Sequence, residues 1–189
     1  MKNLYTIILL TLLSLLMPSL AAAQSFQNVS IADASTVYSI AQDEQGIMWF
    51  GTDHGLYAYD GYRSIPHNTD ADGTPVITRV HSICIFKDML YMATERGLMA
   101  YDIRRGRYAE RTSGGMGEMR AVTIYGGRLW YGGAQGLFSR DLQTGTKRTE
   151  NSRLHNVYSL LPTRHGLLVG TLTGLTVLRN GKAQPIRIG

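Results

Sequence analysis

The amino-acid sequence predicts an all-β protein, and three features of its composition lead to that prediction. Charged residues make up 17% of the 189 residues, below the usual ~25%, and the chain contains 21 glycines and 11 tyrosines. Glycine supplies the positive φ angles that tight hairpin turns require, and tyrosine is enriched in strands. We therefore expect many short strands joined by tight turns. A disordered or collagen-like chain is excluded.

A segment of about forty residues recurs four times along the chain. Its clearest marker is a Gly-Leu pair beginning at Gly55, Gly97, Gly136 and Gly174, so that successive copies lie 42, 39 and 38 residues apart. Periods of about 40 to 50 residues built from short strands indicate the blades of a β-propeller. We predict four four-stranded antiparallel blades at about 37–70, 76–112, 119–151 and 157–189.

Each copy predicts four strands, A to D. Strand A begins at Val37 in the first copy (Val-Tyr-Ser-Ile), and strand B carries the aromatic and small residues that follow the next turn. A two-residue turn closed by the repeated glycine then begins strand C. Strand D follows a second hairpin. Its predicted ranges in the four copies are Tyr62 to Pro66, Arg107 to Arg111, Thr146 to Glu150 and Lys182 to Ile186.

Strand B carries a large residue at a fixed position of the repeat: Trp49, Tyr91, Trp130 and Leu168. The rings invite a ligand-stacking interpretation, but bulk at a fixed repeat position is typical of packing between blades, and leucine retains that bulk without a ring. Two residues later the side chain is always small, which indicates close approach by a neighbouring backbone. These small residues are Gly51, Ala93, Gly132 and Gly170.

The first 23 residues have the features of a secretory signal peptide. Lys2 precedes an apolar run that is shorter than the about 20 residues of a transmembrane helix, and Ala21-Ala22-Ala23 fits a cleavage site. We expect Gln24 to begin a mature, periplasmic chain without a membrane span. The alternative is an uncleaved anchor. Cys84 is the only cysteine, so neither lipoprotein processing nor an internal disulfide is expected.

The first copy, Val37 to Asp60, carries a family resemblance. Its pattern V-x-S-I-x-x-D-x-x-G-x-x-W-F-G-T-x-x-G-L-x-x-Y-D resembles the two-component regulator propeller repeat. That repeat fills the periplasmic sensor region of hybrid two-component histidine kinases of Bacteroidetes type. The later copies match less well, since Asp43 has no counterpart there and tryptophan is absent from two of the four.

The resemblance implies paired propellers, an immunoglobulin-like segment, a membrane span, a histidine kinase and often a DNA-binding regulator. It also implies a possible homodimer in full-length relatives. We find no phosphoacceptor region, ATP-binding segment or receiver pocket in the 189 residues. The resemblance therefore implies that this chain recognises a ligand outside the cytoplasm, commonly a glycan or its breakdown products. The chain itself is not expected to be an enzyme.

The chain is expected to be an N-terminal part of a larger propeller. Residues 24–36 form a lead-in, in which Phe26 to Ile31 reads as a strand of the kind that closes a propeller by completing its last blade. The fourth copy already has its own strand D, Lys182 to Ile186, so the N-terminal strand has no blade to complete. A closed four-bladed propeller is the alternative.

Candidate ligand residues lie in the turns between strands B and C. The glycine that closes each of these turns is constant, whereas the turn residues themselves differ chemically from blade to blade, a combination that suits a binding surface. The alternative is that these residues are solvent-facing turn tips. Tyr38 and Tyr158, near the starts of two A strands, are candidates for stacking on sugar rings or for packing. The turn candidates are Asp53, His54, Glu95, Arg96, Gln135 and Thr173.

Other site chemistries are weakly supported or absent. Asn68, Asp70 and Asp72 match the first half of a calcium loop, but Arg79 occupies the position of the bidentate glutamate, so a polar loop is the stronger interpretation. The five histidines have no metal-site spacing, and there is no nucleophile-elbow motif. No cofactor is expected. The net charge is only +5 and the basic residues are scattered, densest at 104–107, which does not favour nucleic acid.

Two further function classes remain open. A structural or secretion-associated propeller would act through protein contacts, and continuation into a sorting domain would favour it. A propeller lyase would bring catalytic residues to the central channel, and turnover of a polysaccharide would distinguish it from a sensor.

Overall fold

The computed structural model describes residues 28–31, 33–111, 117–151 and 154–187, and all sixteen regular elements in these ranges are strands. They form four separate four-stranded antiparallel sheets. Blade 1 comprises β1 (Val37–Gln42), β2 (Met48–Thr52), β3 (Gly55–Tyr59) and β4 (Ser64–Pro66). Blade 2 comprises β5 (Val80–Phe86), β6 (Met89–Thr94), β7 (Gly97–Asp102) and β8 (Arg107–Arg111). Blade 3 comprises β9 (Met119–Tyr125), β10 (Arg128–Gly133), β11 (Gly136–Asp141) and β12 (Lys147–Asn151). Blade 4 comprises β13 (Val157–Thr163), β14 (Gly166–Thr171), β15 (Gly174–Arg179) and β16 (Lys182–Ile186).

The repeated glycine begins the third strand of every blade because the turn before it requires a positive φ. The φ angles of Gly55, Gly97, Gly136 and Gly174 are 116°, 112°, 137° and 133°, a region that other residues rarely enter. A threonine completes the same turn in blades 1, 2 and 4. In blade 1, for example, the Thr52 hydroxyl donates to the carbonyl of Gly55 and accepts the backbone N–H of His54. The all-β prediction and the four-stranded antiparallel blades are confirmed.

Three apolar cores lie between successive blades, and the large strand-B residues of blades 1, 2 and 3 belong to them, whereas Leu168 of blade 4 is only partly buried. Trp49, Tyr91 and Trp130 are all buried, each on the face of its blade that meets the next blade. The core between blades 1 and 2 includes Trp49, Leu56, Val80, Ile83 and Tyr101, the second includes Tyr91, Leu98, Met119, Val122 and Tyr131, and the third includes Trp130, Leu137, Val157, Leu167 and Val169.

The described blades form an open array. The innermost strands β1, β5, β9 and β13 contact one another in that order, and no comparable contact joins β13 back to β1. The closed four-bladed alternative is therefore not the arrangement that these blades adopt. Within the described ranges, no helix is present that is long and apolar enough to span a bilayer.

The lead-in differs from its prediction. Of the expected strand from Phe26 to Ile31, residues 28–31 are described and belong to no strand. The physical reason is the absence of a partner, because β15 is already paired with β16 at the outer edge of blade 4. The first part of that strand and the predicted signal peptide, residues 1–23, lie outside the described residues.

His67 links blades 1 and 2 on the outer side of their core. Its ring lies 5.0 Å from that of Trp49, and its Nδ1 lies 2.7 Å from the hydroxyl of Tyr101. The Tyr108 hydroxyl donates to the His67 carbonyl at 2.7 Å. Burial lowers the pKa of His67, because the cationic ring would lose solvation there.

We expect the free energy of unfolding to decrease as pH falls below about 6.5, the ordinary pKa of histidine. In that range the unfolded chain binds a proton that folded His67 resists, so stability rises with pH. His67→Gln should flatten this dependence in urea unfolding compared between about pH 7.5 and about pH 5.5. His81, whose pKa burial also lowers, accounts for part of the remaining slope. The exposed His155 supplies the control variant, His155→Gln, and equal slopes for the two variants would contradict the assignment.

Candidate functional site

The second residue of each innermost strand is the extra residue of a β-bulge. In blade 1, for instance, Val37 pairs with Thr52 and Ser39 with Gly51, so that Tyr38 is left outside the ladder. The same shift occurs in blades 2, 3 and 4. A bulge re-aims a side chain away from the regular alternation of the sheet, and bulges are frequent beside functional sites. The four bulge residues, here called the A-strand arc, are Tyr38, His81, Arg120 and Tyr158.

Side-chain contacts connect the arc across all four blades. The rings of Tyr38 and His81 meet edge to face at 5.8 Å between centroids. His81 Nε2 lies 3.1 Å from Glu118 Oε1, without hydrogen-bond geometry. Arg120 Nη2 donates to Glu118 Oε2 at 2.9 Å, and the Arg120 guanidinium lies 4.6 Å from the centroid of the Tyr158 ring. Glu118 therefore joins the arc from the connection that precedes β9.

The charges of the arc are balanced. The hydrogen bond from Arg120 lowers the pKa of Glu118, and the same bond raises the pKa of Arg120. Burial lowers the pKa of His81, although the nearby Glu118 carboxylate opposes this shift. At neutral pH the arc therefore holds a neutral imidazole and a carboxylate–guanidinium pair.

The arc offers aromatic surface at both ends and polar groups between them. Tyr38 and Tyr158 are 45% and 48% exposed, whereas His81, Glu118 and Arg120 are partly buried. A Tyr ring presents an apolar face and a polar hydroxyl, and the guanidinium offers several donors in a fixed plane. This combination suits a flat polyhydroxylated ligand better than a small ion.

The turns between the second and third strands lie on the same rim as the arc. The backbone N–H groups of Asp53, Glu95 and Leu172 donate to the residues just before the innermost strands, Thr36, Arg79 and Asn156. These bonds are 3.2, 3.0 and 3.2 Å long. The side chains of Glu95, Arg96, Gln135 and Thr173 are exposed there, which fits a variable binding rim and a set of solvent-facing turn tips equally well.

The carboxylate of Asp53 is held by hydrogen bonds within the fold. It accepts the hydroxyl and the N–H of Ser35 and the N–H of Thr36, and it thereby fixes the lead-in against the turn. The Ser35 hydroxyl bond is the main cause of a strongly lowered Asp53 pKa. His54 Nδ1 lies 3.4 Å from the same carboxylate, and its side chain is half exposed.

The calcium-loop candidates also serve the local fold. Asn68 Oδ1 accepts the N–H of Leu56 at 3.0 Å, and Asp70 Oδ1 accepts the N–H groups of Asp72 and Thr74. The side-chain oxygens of Asn68 and Asp70 are thus used to fold the connection between blades 1 and 2. Within the described ranges, no three His, Cys, Asp or Glu side chains are placed to hold a metal ion.

The sequence interpretation found two members of the arc and missed three residues of the network. Tyr38 and Tyr158 were predicted as candidate ligand residues because they are aromatic. His81 and Arg120 occupy the same position of the repeat, where they place an imidazole and a guanidinium instead of a phenol ring. Comparing that single position across the four copies would have found both. Glu118 lies outside any repeated strand, and the sequence carries no signal for its contact with His81.

Comparisons with known proteins agree with the repeat and the fold. A family model described as "Two component regulator propeller" matches residues 32–54. The extracellular domain of the putative hybrid two component system BT4673 from B. thetaiotaomicron shares 30% identity with the chain at a TM-score of 0.76. The match covers 88% of the chain and 23% of that domain. The chain thus spans about a quarter of the length of this relative.

More distant structures show the same fold. The extracellular domain of the putative hybrid two component system BT3049 from B. thetaiotaomicron has 22% identity and a TM-score of 0.68, over 85% of the chain and 26% of that domain. The WD40 repeats of RRP9 have 10% identity and a TM-score of 0.68, over 84% of the chain and 53% of that protein. Among curated proteins, none matches the chain.

Proposed function

Because the chain carries a two-component regulator propeller repeat, we propose that it is the ligand-recognition segment of an exported sensor and that the A-strand arc binds the ligand. Support for export comes from the similar BT4673 and BT3049 structures, which are described as extracellular domains. The observation that carries the location of the site is the bulge shared by four blades, which directs Tyr38, His81, Arg120 and Tyr158 to one rim.

The ligand class that fits this rim is an oligosaccharide, such as a breakdown product of a larger glycan. The exposed faces of Tyr38 and Tyr158 can pack against the C–H faces of sugar rings, while Arg120 and Glu118 can bond to hydroxyl groups. Because the charges of Glu118 and Arg120 compensate each other, a neutral sugar is favoured over a multiply charged one. The exposed turn residues Glu95 and Arg96 then vary the specificity at the edge of the site.

The proposal assigns binding without turnover to this chain. Transmission of the signal would require a membrane span and a histidine kinase in the full-length protein, as in hybrid two-component systems. A structural propeller would instead show no small-ligand affinity, and a lyase would release unsaturated products that absorb in the ultraviolet.

The test is calorimetric titration of the purified chain with a panel of neutral and uronic-acid-containing oligosaccharides. For a ligand that binds, Tyr158→Ala is expected to weaken the affinity about tenfold, since a well-placed aromatic contact contributes about 1–1.5 kcal/mol. Arg120→Ala is expected to weaken it further, because it also leaves Glu118 without its partner.

The matched control is Tyr62→Ala, in the turn between β3 and β4. Tyr62 is 95% exposed and lies away from the rim, so its loss should leave the affinity unchanged. Equal effects of Tyr62→Ala and Tyr158→Ala would count against the arc as the site. Failure of every oligosaccharide to bind the folded chain would count against the ligand class.

A further inference from the structure

Glu118 lies between the two basic side chains of the A-strand arc and is shared by them. Its Oε1 lies 3.1 Å from His81 Nε2, and its Oε2 accepts a hydrogen bond of 2.9 Å from Arg120 Nη2. The three side chains are partly buried, so solvent and salt screen their charges less than they screen fully exposed pairs. One carboxylate therefore faces a permanent cation on one side and a titratable ring on the other.

The Nε2 atom of His81 is buried and makes no hydrogen bond within the described part of the chain. A neutral imidazole carries one N–H, whereas the protonated ring donates from both nitrogens. Protonation therefore ensures a donor at Nε2, where Glu118 Oε1 is already within hydrogen-bonding distance. A small rotation of the His81 ring then completes a charge-assisted bond to Glu118 and gives this buried nitrogen a partner.

Charged groups from several segments surround His81. Burial is the main reason that the pKa of His81 is lowered, and the cations Arg79 and Arg120 lower it further, whereas the carboxylates oppose the shift. The ring is therefore neutral at pH 7 and takes up its proton only below the ordinary histidine value of about 6.5. The titratable and charged groups that face His81 are Tyr38 from β1, Arg79 from the connection before β5, Glu95 from the turn between β6 and β7, Glu118 from the connection before β9 and Arg120 from β9.

Protonation of His81 changes the charge of the arc. At neutral pH Glu118 and Arg120 compensate each other, and the His81 ring adds no charge. The lowered pKa of Glu118 keeps its carboxylate ionised in weakly acidic solution, so that two cations then face one anion. The arc gains a net positive charge, which a ligand carboxylate can compensate by accepting hydrogen bonds from the Arg120 guanidinium.

We propose that His81 determines the ligand specificity of the arc and that its protonation lets the arc accept one sugar carboxylate, as in a uronic acid, as well as a neutral sugar. The inference rests on the proposed function, because it concerns the ligand of the same arc. Arg120 supplies the donors for the carboxylate, since its guanidinium lies over the exposed Tyr158 ring on the rim. His81 acts through Glu118, because its own side chain is only 16% exposed.

Thermodynamic linkage determines the direction of the pH effect. A bound carboxylate favours the protonated ring, so the complex holds the His81 proton more tightly than the free chain does. The affinity for a carboxylate-bearing sugar therefore rises as pH falls through the pKa of His81 in the complex, and it stops rising below the pKa of His81 in the free chain. The affinity for a neutral sugar does not change for this reason.

The first experiment requires no sugar and follows the ring nitrogens of His81 by nuclear magnetic resonance during a pH titration of the full chain. Glu118→Gln removes the nearby negative charge and should weaken proton binding by His81 at least about tenfold. Glu95→Gln is the matched control, because it removes the same charge from an exposed turn, and its effect should be clearly smaller. Should Glu118→Gln fail to fold, Glu118→Asp keeps the charge but withdraws it from His81 and should weaken proton binding to a smaller extent.

The second experiment compares two disaccharides that differ in one group. One is glucuronic acid linked to galactose, and the other is the same disaccharide with its carboxyl group reduced to an alcohol. Both are titrated calorimetrically at about pH 7.5 and about pH 5, where the acid stays ionised because comparable carboxyl groups have a pKa of about 3.5. The affinity for the acid relative to the alcohol should rise about threefold or more at the lower pH, the effect of two unit charges about 6 Å apart in a water-like dielectric.

Two histidine variants assign this pH dependence. His81→Gln keeps a polar side chain that cannot become a cation, so its relative affinity for the two disaccharides should be the same at both pH values. His165→Gln is the matched control, because His165 is exposed in the turn between β13 and β14, at the far end of β13 from Tyr158. It should respond to pH like the parent chain.

Three results would overturn the inference. If Glu118→Gln leaves the titration of His81 unchanged, the two groups are not coupled. If the relative affinity of the parent chain is independent of pH, or changes equally in His81→Gln, then His81 does not determine specificity. If neither disaccharide binds at either pH, the carboxylate specificity fails as well. In each case a neutral oligosaccharide that still binds at the arc would leave the proposed function intact.

Discussion

Replacement of Trp49 by alanine is expected to lower the free energy of unfolding by about 3–5 kcal/mol, the usual cost of deleting a buried aromatic side chain. Trp49 is 4% exposed in the core between blades 1 and 2, with the ring of Tyr101 at 5.7 Å. Its Nε1 donates to Asp43 Oδ2 at 2.8 Å, which fixes the first turn of blade 1. Urea unfolding measures the loss of free energy. It is monitored by far-ultraviolet circular dichroism, because tryptophan fluorescence would itself change in this variant.

Trp49→Phe separates the two contributions of this side chain. Phenylalanine keeps an aromatic ring in the core but cannot donate to Asp43, so a loss of about 1–2 kcal/mol is expected. If the alanine and phenylalanine variants lost the same free energy, the hydrogen bond rather than the packing would be the source of stability, contrary to this account.

Gly132→Ala is expected to destabilise the contact between blades 3 and 4 by about 1–3 kcal/mol. An added Cβ would lie 2.7 Å from both Cβ and Cγ1 of Val157, a distance that real Cβ atoms do not tolerate. The clash is with the branched root of the Val157 side chain, which cannot rotate away, so β13 itself must shift. Thermal or urea unfolding of the purified variant measures the effect.

Blade 2 shows how the same position accommodates a methyl group. There Ala93 occupies the position of Gly132, and Met119 occupies the position of Val157 in the next blade. Methionine is unbranched at Cβ, so it leaves room where valine does not. Val157→Met is therefore expected to restore most of the stability lost in Gly132→Ala, and a double-mutant cycle would measure the coupling.

Gly170 supplies the matched control for this prediction. It occupies the same repeat position in blade 4, but the atom nearest to an added Cβ would be the Ser159 hydroxyl oxygen of its own blade. Because a serine hydroxyl can rotate, Gly170→Ala should cost clearly less than Gly132→Ala. Equal costs would mean that strand propensity, and not the approach of the next blade, explains the small residue.

The sequence anticipated most of the strands because their signals are local. The outer strand of blade 2 was predicted at Arg107 to Arg111 and has those bounds, and that of blade 3 begins one residue later than predicted, at Lys147. The turn glycines and the alternation of apolar residues determine these elements within a few residues of chain. The predicted strand from Phe26 to Ile31 failed over residues 28–31, since a strand also needs a free partner edge.

The candidate site was less predictable because its residues come from different blades. Asp53 looked like a ligand in the sequence, yet its carboxylate binds Ser35 and Thr36. His81 and Arg120 were not predicted as site residues, although they occupy the repeat position of Tyr38 and Tyr158 and reach the rim through the same bulge. A contact between residues about forty positions apart depends on how two sheets pack, which single-strand patterns do not encode.

The sequence by itself determined the class of this protein, its repeat, and the order of strands within each blade, because a period of about forty residues and the turn glycines act locally. Only the tertiary structure decided which side chains share the rim and which apolar residues the described blades bury against one another. The physical reason is that Val37 and Val80 have the same local sequence role, and only the presence or absence of an adjacent blade makes one exposed and the other buried.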